Sequence, residues 1–283
     1  MTAKYLSGTA VAESTLNSVR EKVKSLEANG IIPGLGTILV GGDPASAGYV
    51  RKKHQTCAEV GIRSFNIEIS EDATQAELMA AIKSFNDNSE VDSYILQYPL
   101  PKQFDFNQAM SAMLPSKDAD GLHPQNLGKL VLQEEGPLPC TPAGIVEILK
   151  HYKIDVSGKN VVVVGRGTTL GRPLSLLLSR KADGCNAAVT TVHSGISNIA
   201  SYTLQADIVI CAVGIHNFIK PNMVKKGAVV LSGGISWEGK KLLPDVSEDV
   251  AEVAQWITPR IGGVGPTTVA MLLNNTVMAA EKR

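Results

Sequence analysis

Tyr49 and Lys53 stand four residues apart in a segment that reads as a helix. At that spacing two side chains share one face, one turn apart. A lysine amine can serve as a general acid or base when partial burial brings its pKa toward neutrality. A tyrosine ring can stack on a flat substrate or orient it. The same pair decorates many solvent-facing helices, and spacing alone favours that plainer reading. Gln97 ends an apolar strand just before Tyr98-Pro99-Leu100-Pro101. Its amide can hydrogen-bond a nearby amine. Asp118 and Asp120 lie in PSKDADGLHP, a loop with turn chemistry. A carboxylate there can pair with the amidine-like edge of a heterocycle through two parallel hydrogen bonds, or it can cap the turns.

A second constellation is Gly165, Gly167 and Gly171, directly after four consecutive valines. Glycines after a strand permit a tight turn and close approach of backbone to a pyrophosphate. The helix that follows offers unpaired N–H groups and its positive end. The strand before and the helix after raise this pattern above a lone glycine motif, with a purely structural turn as the alternative. NAD sites place a carboxylate at the end of the second strand. Here that strand ends Thr191-Val192-His193-Ser194, and Arg166 sits inside the glycine loop. A guanidinium and a hydroxyl suit a 2′-phosphate, so the loop favours NADP unless Arg166 is simply a solvated loop residue.

Other chemistries find little support. His54, His123, His151, His193 and His216 form no H-E-x-x-H and no Cys/His pair at ligand spacing, so no metal is expected. Cys57, Cys140, Cys185 and Cys211 lie far apart and read as reduced, mostly buried thiols in a cytoplasmic protein. Cys140 with His123 could form a nucleophile–base pair, but nothing orients it. Lys+Arg and Asp+Glu both number 27, so the basic excess of a nucleic-acid binder is missing. The longest apolar runs, such as VVVV at 161–164, fall far short of the ~20 residues of a membrane span. No secretory signal is evident at the start.

The elements that must position these groups follow from the hydrophobic pattern. At 283 residues the chain makes about two domains. Leu16, Val19, Val23 and Leu26 mark a helix that Gly30 stops. Strands at 34–43, 63–70 and 91–97 alternate with helices at 44–60 and 74–87, the rhythm of a parallel sheet covered by helices. The stretch 99–142, with prolines at 99, 101, 115, 124 and 139, reads as long loops at the carboxyl ends of strands. A linking helix over 141–152 would take Thr141 as its N-cap and Pro142 in its first turn. A second βαβ series begins at NVVVVGRGTTLGRPLSLLLSRK (160–181), with strands following at 187–193, 206–214 and 227–234. The final helix, 267–282, could return to the first domain.

Together these residues carry a family resemblance. YVRKK (49–53), ILQYPLP (95–101), PSKDADGLHPQNLGKL (115–130), PCTPAGI (139–145), VVVVGRGTTLGRP (161–173), VHS (192–194) and GGVGPTT (262–268) occur in that order. The set resembles the bifunctional methylenetetrahydrofolate dehydrogenase/cyclohydrolase (FolD) family over almost the whole chain. The resemblance implies an α/β fold of two domains with a cleft between them. One would be a catalytic, folate-binding domain with a parallel sheet, residues 1–140 plus 268–283. The other would be a Rossmann-type NADP-binding domain, residues 141–267. It implies oxidation of 5,10-methylenetetrahydrofolate by NADP, then hydrolysis of the methenyl product to 10-formyltetrahydrofolate, in a cytoplasmic homodimer. By motif, Lys53 is similar to the family's essential lysine, Tyr49 to the tyrosine over the folate, Gln97 to the lysine's partner and Asp120 to the pterin-holding aspartate. Arg166 and Ser194 match positions near the 2′-phosphate, and Gly165, Gly167 and Gly171 the phosphate turn. Ile235 matches a backbone contact to the nicotinamide, and Gly262, Gly263 and Pro266 a loop closing over the substrate. The chain departs from the family at Gly167, commonly Ser, and at Ser232-Gly233-Gly234-Ile235-Ser236, commonly DVGIN. It departs again in Pro259-Arg260-Ile261, commonly PVP. A shikimate-dehydrogenase-like enzyme and a silent NADP sensor are the alternatives. The first gives no reason for Tyr49 four before Lys53 or for ILQYPLP, and the intact Tyr49, Lys53, Gln97 and Asp120 argue against the second.

Overall fold

The computed structural model describes residues 2–239 and 241–283. In chain order the elements begin β1 (Lys4–Tyr5), α1 (Gly8–Ala28), β2 (Gly34–Val40), α2 (Pro44–Val60), β3 (Arg63–Ile69), α3 (Gln75–Asp87) and β4 (Ser93–Leu96). Next come α4 (Phe106–Ala112), α5 (Pro124–Leu132), α6 (Cys140–His151), β5 (Asn160–Val164), α7 (Gly171–Ser179), β6 (Ala188–Val192) and α8 (Ala200–Thr203). The last are β7 (Ile208–Cys211), β8 (Val229–Ser232), β9 (Ile235–Glu238), β10 (Lys241–Pro244), β11 (Trp256–Ile257) and α9 (Val264–Ala280). The chain divides into two compact units.

The unit of Ser14–Leu138 and Val269–Arg283 is built on a parallel sheet in the order β3-β2-β4. Strand β2 is central, and all seven of its residues are buried. Burial of each such Leu, Ile or Val side chain contributes about 1.5–3 kcal/mol before conformational entropy is counted. The connection from β2 runs to β3 at one edge and the next crosses back to β4 at the other, so the carboxyl ends of β2 and β4 form a topological switch point, where α/β folds place ligands. Helix α2 starts there. Its first turn is capped by Asp43, whose carboxylate accepts the Ser46 N–H at 2.8 Å. Ser93 of β4 is tied to Thr276 of α9, Oγ to Oγ1, at 3.0 Å.

The unit of the residues up to Glu13 with Pro139–Thr268 holds a six-stranded sheet, order β1-β11-β8-β7-β5-β6, parallel throughout. Val162, Val164, Val209, Cys211 and Val230 form part of its core. Strand β5 lies between β6 and β7, and so the glycine loop sits at this sheet's switch point. A separate antiparallel pair, β9 and β10, follows β8.

Three local expectations need correction. The stretch 99–142 is not all loop, because α4 and α5 form within it. Asp105 caps α4 by accepting the Gln108 N–H, and His123 caps α5 through Nδ1. Thr141 is not the N-cap of α6. The helix starts a residue earlier, with Pro139 at the cap, and Thr141 Oγ1 lies 3.1 Å from Thr268 Oγ1. Strands β1, β9, β10 and β11 lie outside the expected series. Two of them have only two residues, too short to show a period.

Candidate active site

Lys53 is 8% exposed. On α2 the buried positions Ser46, Val50, Lys53, Cys57 and Val60 recur at spacings of four, three, four and three. Lys53 therefore occupies a place on the inward stripe that an apolar residue would ordinarily fill. An ammonium held there needs a polar partner to offset lost hydration. Gln97 supplies one: Lys53 Nζ donates to Gln97 Oε1 at 3.0 Å. Burial pushes the neighbouring Cys57 thiol up to about 12, against the pull of the Lys53 charge.

Gln97 is itself fixed. Its backbone N–H donates to Ile38 O at 2.9 Å, extending the β2–β4 pairing by one residue. Its Nε2 donates to Tyr98 O at 2.8 Å, which turns Oε1 toward the lysine. The Tyr98–Pro99 peptide is cis. Tyr49, one turn before Lys53, is half-buried, and burial raises its phenol pKa. His54 Nε2 lies 3.4 Å from Thr37 Oγ1, and burial, reinforced by the Lys53 charge, lowers its pKa.

The two aspartates divide. Asp118 is buried and accepts the N–H of Gly121 at 3.0 Å, that of His123 at 2.8 Å and Asn126 Nδ2 at 2.9 Å. It shapes the loop. Ala119 ties that loop to β4 by donating to Tyr94 O, and Asn275 of α9 donates to Ala119 O at 2.9 Å. Asp120 takes none of these bonds and is half-buried. Burial raises its pKa, the Lys53 charge opposes that rise and Asp118 adds to it. The structure thus brings Lys53, Tyr49, Gln97 and Asp120 into one unit, with the charges of Lys53 and Asp120 felt by each other.

The glycine loop belongs to the other unit. Gly165 has φ +120°, and a Cβ on it would stand 2.3 Å from Ala212 O. A Cβ on Gly171 would stand 2.3 Å from Gly165 O, whereas Gly167 faces open space. Side chains are thus excluded where β5 turns into α7, and the first N–H groups of α7 emerge beside bare backbone. These residues fit a dinucleotide pyrophosphate. Arg166 is exposed, and its Nη1 lies 3.4 Å from His193 Nε2. Ser194 is exposed beside it, just past β6. These three stand at the end of the second strand, where a 2′-phosphate needs donors. Ile235 begins β9 and is 39% exposed. Gly262 accepts the Thr9 N–H at 3.1 Å, Gly263 immediately precedes α9, and Pro266 lies in its first turn, in the same unit.

Sequence reasoning missed two features. The burial of Lys53 is recoverable only by counting its apolar neighbours on the stripe. Asp245, fully buried after β10, had no signal beyond an acidic residue in an apolar run. All four cysteines are buried, and none of them is in a disulfide. Among the described residues no helix is long and apolar enough to cross a membrane.

Comparison with known proteins joins the two units. Residues 6–120 match the family model "Tetrahydrofolate dehydrogenase/cyclohydrolase, catalytic domain". Residues 139–283 match that family's "NAD(P)-binding domain". The bifunctional protein FolD of Syntrophotalea carbinolica is 63% identical over 283 residues, covering 100% of this chain and 98% of that protein. The crystal structure of the bifunctional FolD enzyme from Campylobacter jejuni aligns with a TM-score of 0.95 at 39% identity, covering 99% of each chain. The Trypanosoma brucei methylenetetrahydrofolate dehydrogenase-cyclohydrolase, solved with NADP cofactor and inhibitor, aligns at 0.94 with 36% identity, over 100% of this chain and 98% of that one.

Proposed function

The chain belongs to the tetrahydrofolate dehydrogenase/cyclohydrolase family, and from that premise we propose that Lys53 is its acid–base catalyst, with Tyr49, Gln97 and Asp120 arranging the folate. The enzyme oxidises 5,10-methylenetetrahydrofolate to 5,10-methenyltetrahydrofolate with NADP. It then hydrolyses the methenyl product to 10-formyltetrahydrofolate. The observation that carries the residue assignment is the 8% exposed Lys53 ammonium on Gln97 Oε1 at 3.0 Å. An apolar stripe tolerates a lysine only at a cost, and a catalytic amine is a reason to retain one.

The chemistry asks for such a group. NADP, when bound, supplies the hydride acceptor for the first reaction. In the second, water adds to the cationic methenyl carbon, its oxygen gives up both protons, one ending on the departing ring nitrogen and one in solvent, and the bond from the carbon to that nitrogen breaks as the formyl C=O forms. Lys53 in its amine form takes a proton from the water and returns one to the departing nitrogen. Gln97 holds the amine in place, since its own rotamer is set by Tyr98 O. Tyr49 packs over the flat pterin. Asp120 accepts two hydrogen bonds from the pterin's amidine-like edge.

In the other unit Gly165, Gly167 and Gly171 receive the pyrophosphate, and Arg166 and Ser194 the 2′-phosphate. The Ile235 backbone meets the nicotinamide end. Gly262, Gly263 and Pro266 border the substrate. The protein works as a homodimer in the cytoplasm, the assembly and location usual to the family. An absorbance assay with methylenetetrahydrofolate and NADP tests the reading. NADPH should accumulate while a methenyl signal rises and then decays, and the absence of all three signals would overturn it.

A further inference from the structure

The Asp245 carboxylate, 0% exposed, gathers three consecutive backbone amides. Its Oδ2 accepts the N–H of Val213 at 2.8 Å and of Gly214 at 3.2 Å, and its Oδ1 accepts that of Ile215 at 2.9 Å. A buried carboxylate is tolerated when donors converge on it in this way. The residue is anchored from its own backbone as well. Asp245 N–H donates to Ser232 Oγ at 3.0 Å, and Asp245 O accepts the Ile219 N–H at 3.0 Å. The carboxylate also presses on a second segment. A Cβ on Gly234 would stand 2.0 Å from Asp245 Oδ2 and 2.7 Å from Gly214 N, so only glycine fits there. One side chain thus joins the turn after β7 to the turn before β9.

Both turns border the glycine loop's mouth. The first touches it directly, because the bare Cα of Gly165 faces Ala212 O. Topology then assigns the two halves of a dinucleotide. Arg166, His193 and Ser194 lie on the β6 side of β5, which suits the phosphorylated ribose. The nicotinamide half must therefore extend the other way, over the ends of β7 and β8. That is where the 213–215 and 234–235 turns stand.

We propose that Asp245 is a positioning residue for the dehydrogenase reaction, fixing the 213–215 turn against Gly234 and Ile235 so that the nicotinamide side of the NADP site is formed before NADP arrives. This rests on the assignment of NADP to this unit. Asp245 acts through backbone amides and contacts no reacting atom. Without its carboxylate the turn must be ordered at the moment of binding, and the affinity pays for that ordering.

The test is Asp245→Asn in the full-length protein. The amide keeps the volume but turns a donor toward the Val213–Ile215 N–H groups. NADPH fluorescence and NADP titration calorimetry give dissociation constants, and both activities are measured on one preparation. The dissociation constants should weaken by about tenfold. At subsaturating NADP the ratio of dehydrogenase to cyclohydrolase activity should fall by a similar factor. Saturating NADP should recover most of the dehydrogenase kcat, a split that a general loss of structure would not give. Dissociation constants within twofold of wild type overturn the proposal. A wild type that binds NADP but turns over no folate would overturn the assigned reaction, while a weakened constant in the variant would still support Asp245. Should the variant fail to fold, amide exchange on the unaltered protein without NADP decides. The N–H groups of residues 213–215 should exchange at least about a hundredfold more slowly than those of the exposed Ser194–Gly195 turn. Equal rates overturn the proposal.

Discussion

Lys53 and Gln97 come from different elements of one unit, α2 and the end of β4, and meet with Nζ on Oε1 at 3.0 Å. The bond joins the two carboxyl-end connections that flank the central strand β2. A lysine reaching that point from an exposed face would need no such partner. Here the glutamine oxygen replaces much of the water that burial removed.

Lys53→Met should keep the volume of the stripe and remove the amine. Cyclohydrolase kcat should fall by about a hundredfold to ten-thousandfold, the usual range for a general acid–base group. NADP affinity, read by fluorescence, should stay close to wild type, because the glycine loop lies in the other unit. Hydrolysis of methenyltetrahydrofolate at the normal rate would remove Lys53 from the mechanism.

Gln97→Glu should leave the geometry and change the charge. A carboxylate beside the ammonium favours the protonated lysine. The limb of the pH–rate profile that reports the free amine should therefore move to higher pH. Gln97→Ala should lower kcat without that displacement of the limb. Profiles of the two variants that superimpose would show that Gln97 does not act on the amine.

Arg166→Ala should raise the KM for NADP by about tenfold or more, since a charge-assisted phosphate contact contributes on the order of 1.5–3 kcal/mol. The KM for NAD should change little. Equal losses for the two cofactors would count against a 2′-phosphate role.

Asp120 makes binding and stability respond to pH in opposite senses. Burial raises its folded pKa above the ordinary carboxylate value. The folded chain therefore holds this proton at a pH where the unfolded chain has lost it. Stability from this group falls as pH rises through that window and is regained on acidification. A folate analogue held as proposed, by contrast, draws on the carboxylate. Its affinity should weaken on acidification, beginning above the pH range in which an ordinary Asp titrates. Calorimetric titration of wild type and Asp120→Asn checks this, and a variant with the same pH slope as wild type would exclude Asp120 as the source.

Asp118→Ala should destabilise the Lys53 unit by about 3 kcal/mol or more, because three donors lose their acceptor, two of them the backbone N–H groups of Gly121 and His123. Asp118→Asn should cost less, since one oxygen remains. Urea unfolding midpoints measure both. An unchanged midpoint for the alanine variant would show that the loop is held by other means.

Much of the fold is legible in the sequence, and the reason is physical. Runs such as Val161–Val164 and Ile208–Cys211 are apolar enough to be buried strands, and the glycines after Val164 mark a sharp turn. The site residues are legible as types and spacings, but their relation is not. Nothing local brings Gln97 to Lys53, because that bond depends on β4 pairing with β2. Asp118 and Asp120 look alike in sequence and separate only through the path of the loop, which folds Gly121, His123 and Asn126 back onto Asp118. The start of α6 at Cys140 is hidden because Thr141, a better cap by type, is engaged with Thr268. Asp245 is hidden because the three amides that hold its carboxylate are backbone groups, which have no residue identity to read.

Strand β1 is only Lys4–Tyr5, yet it closes one edge of the six-stranded sheet by pairing with Trp256–Ile257. During synthesis, Lys4 and Tyr5 must wait for Trp256 and Ile257, far later in the chain, before that edge can form. A fragment cut to begin near residue 139 would carry every strand of the sheet except this one. It would expose β11 as an open edge, ready to pair with a neighbouring molecule. The nucleotide-binding half is therefore a unit in space but not a cassette in the gene, and grafting it elsewhere requires carrying the first residues along.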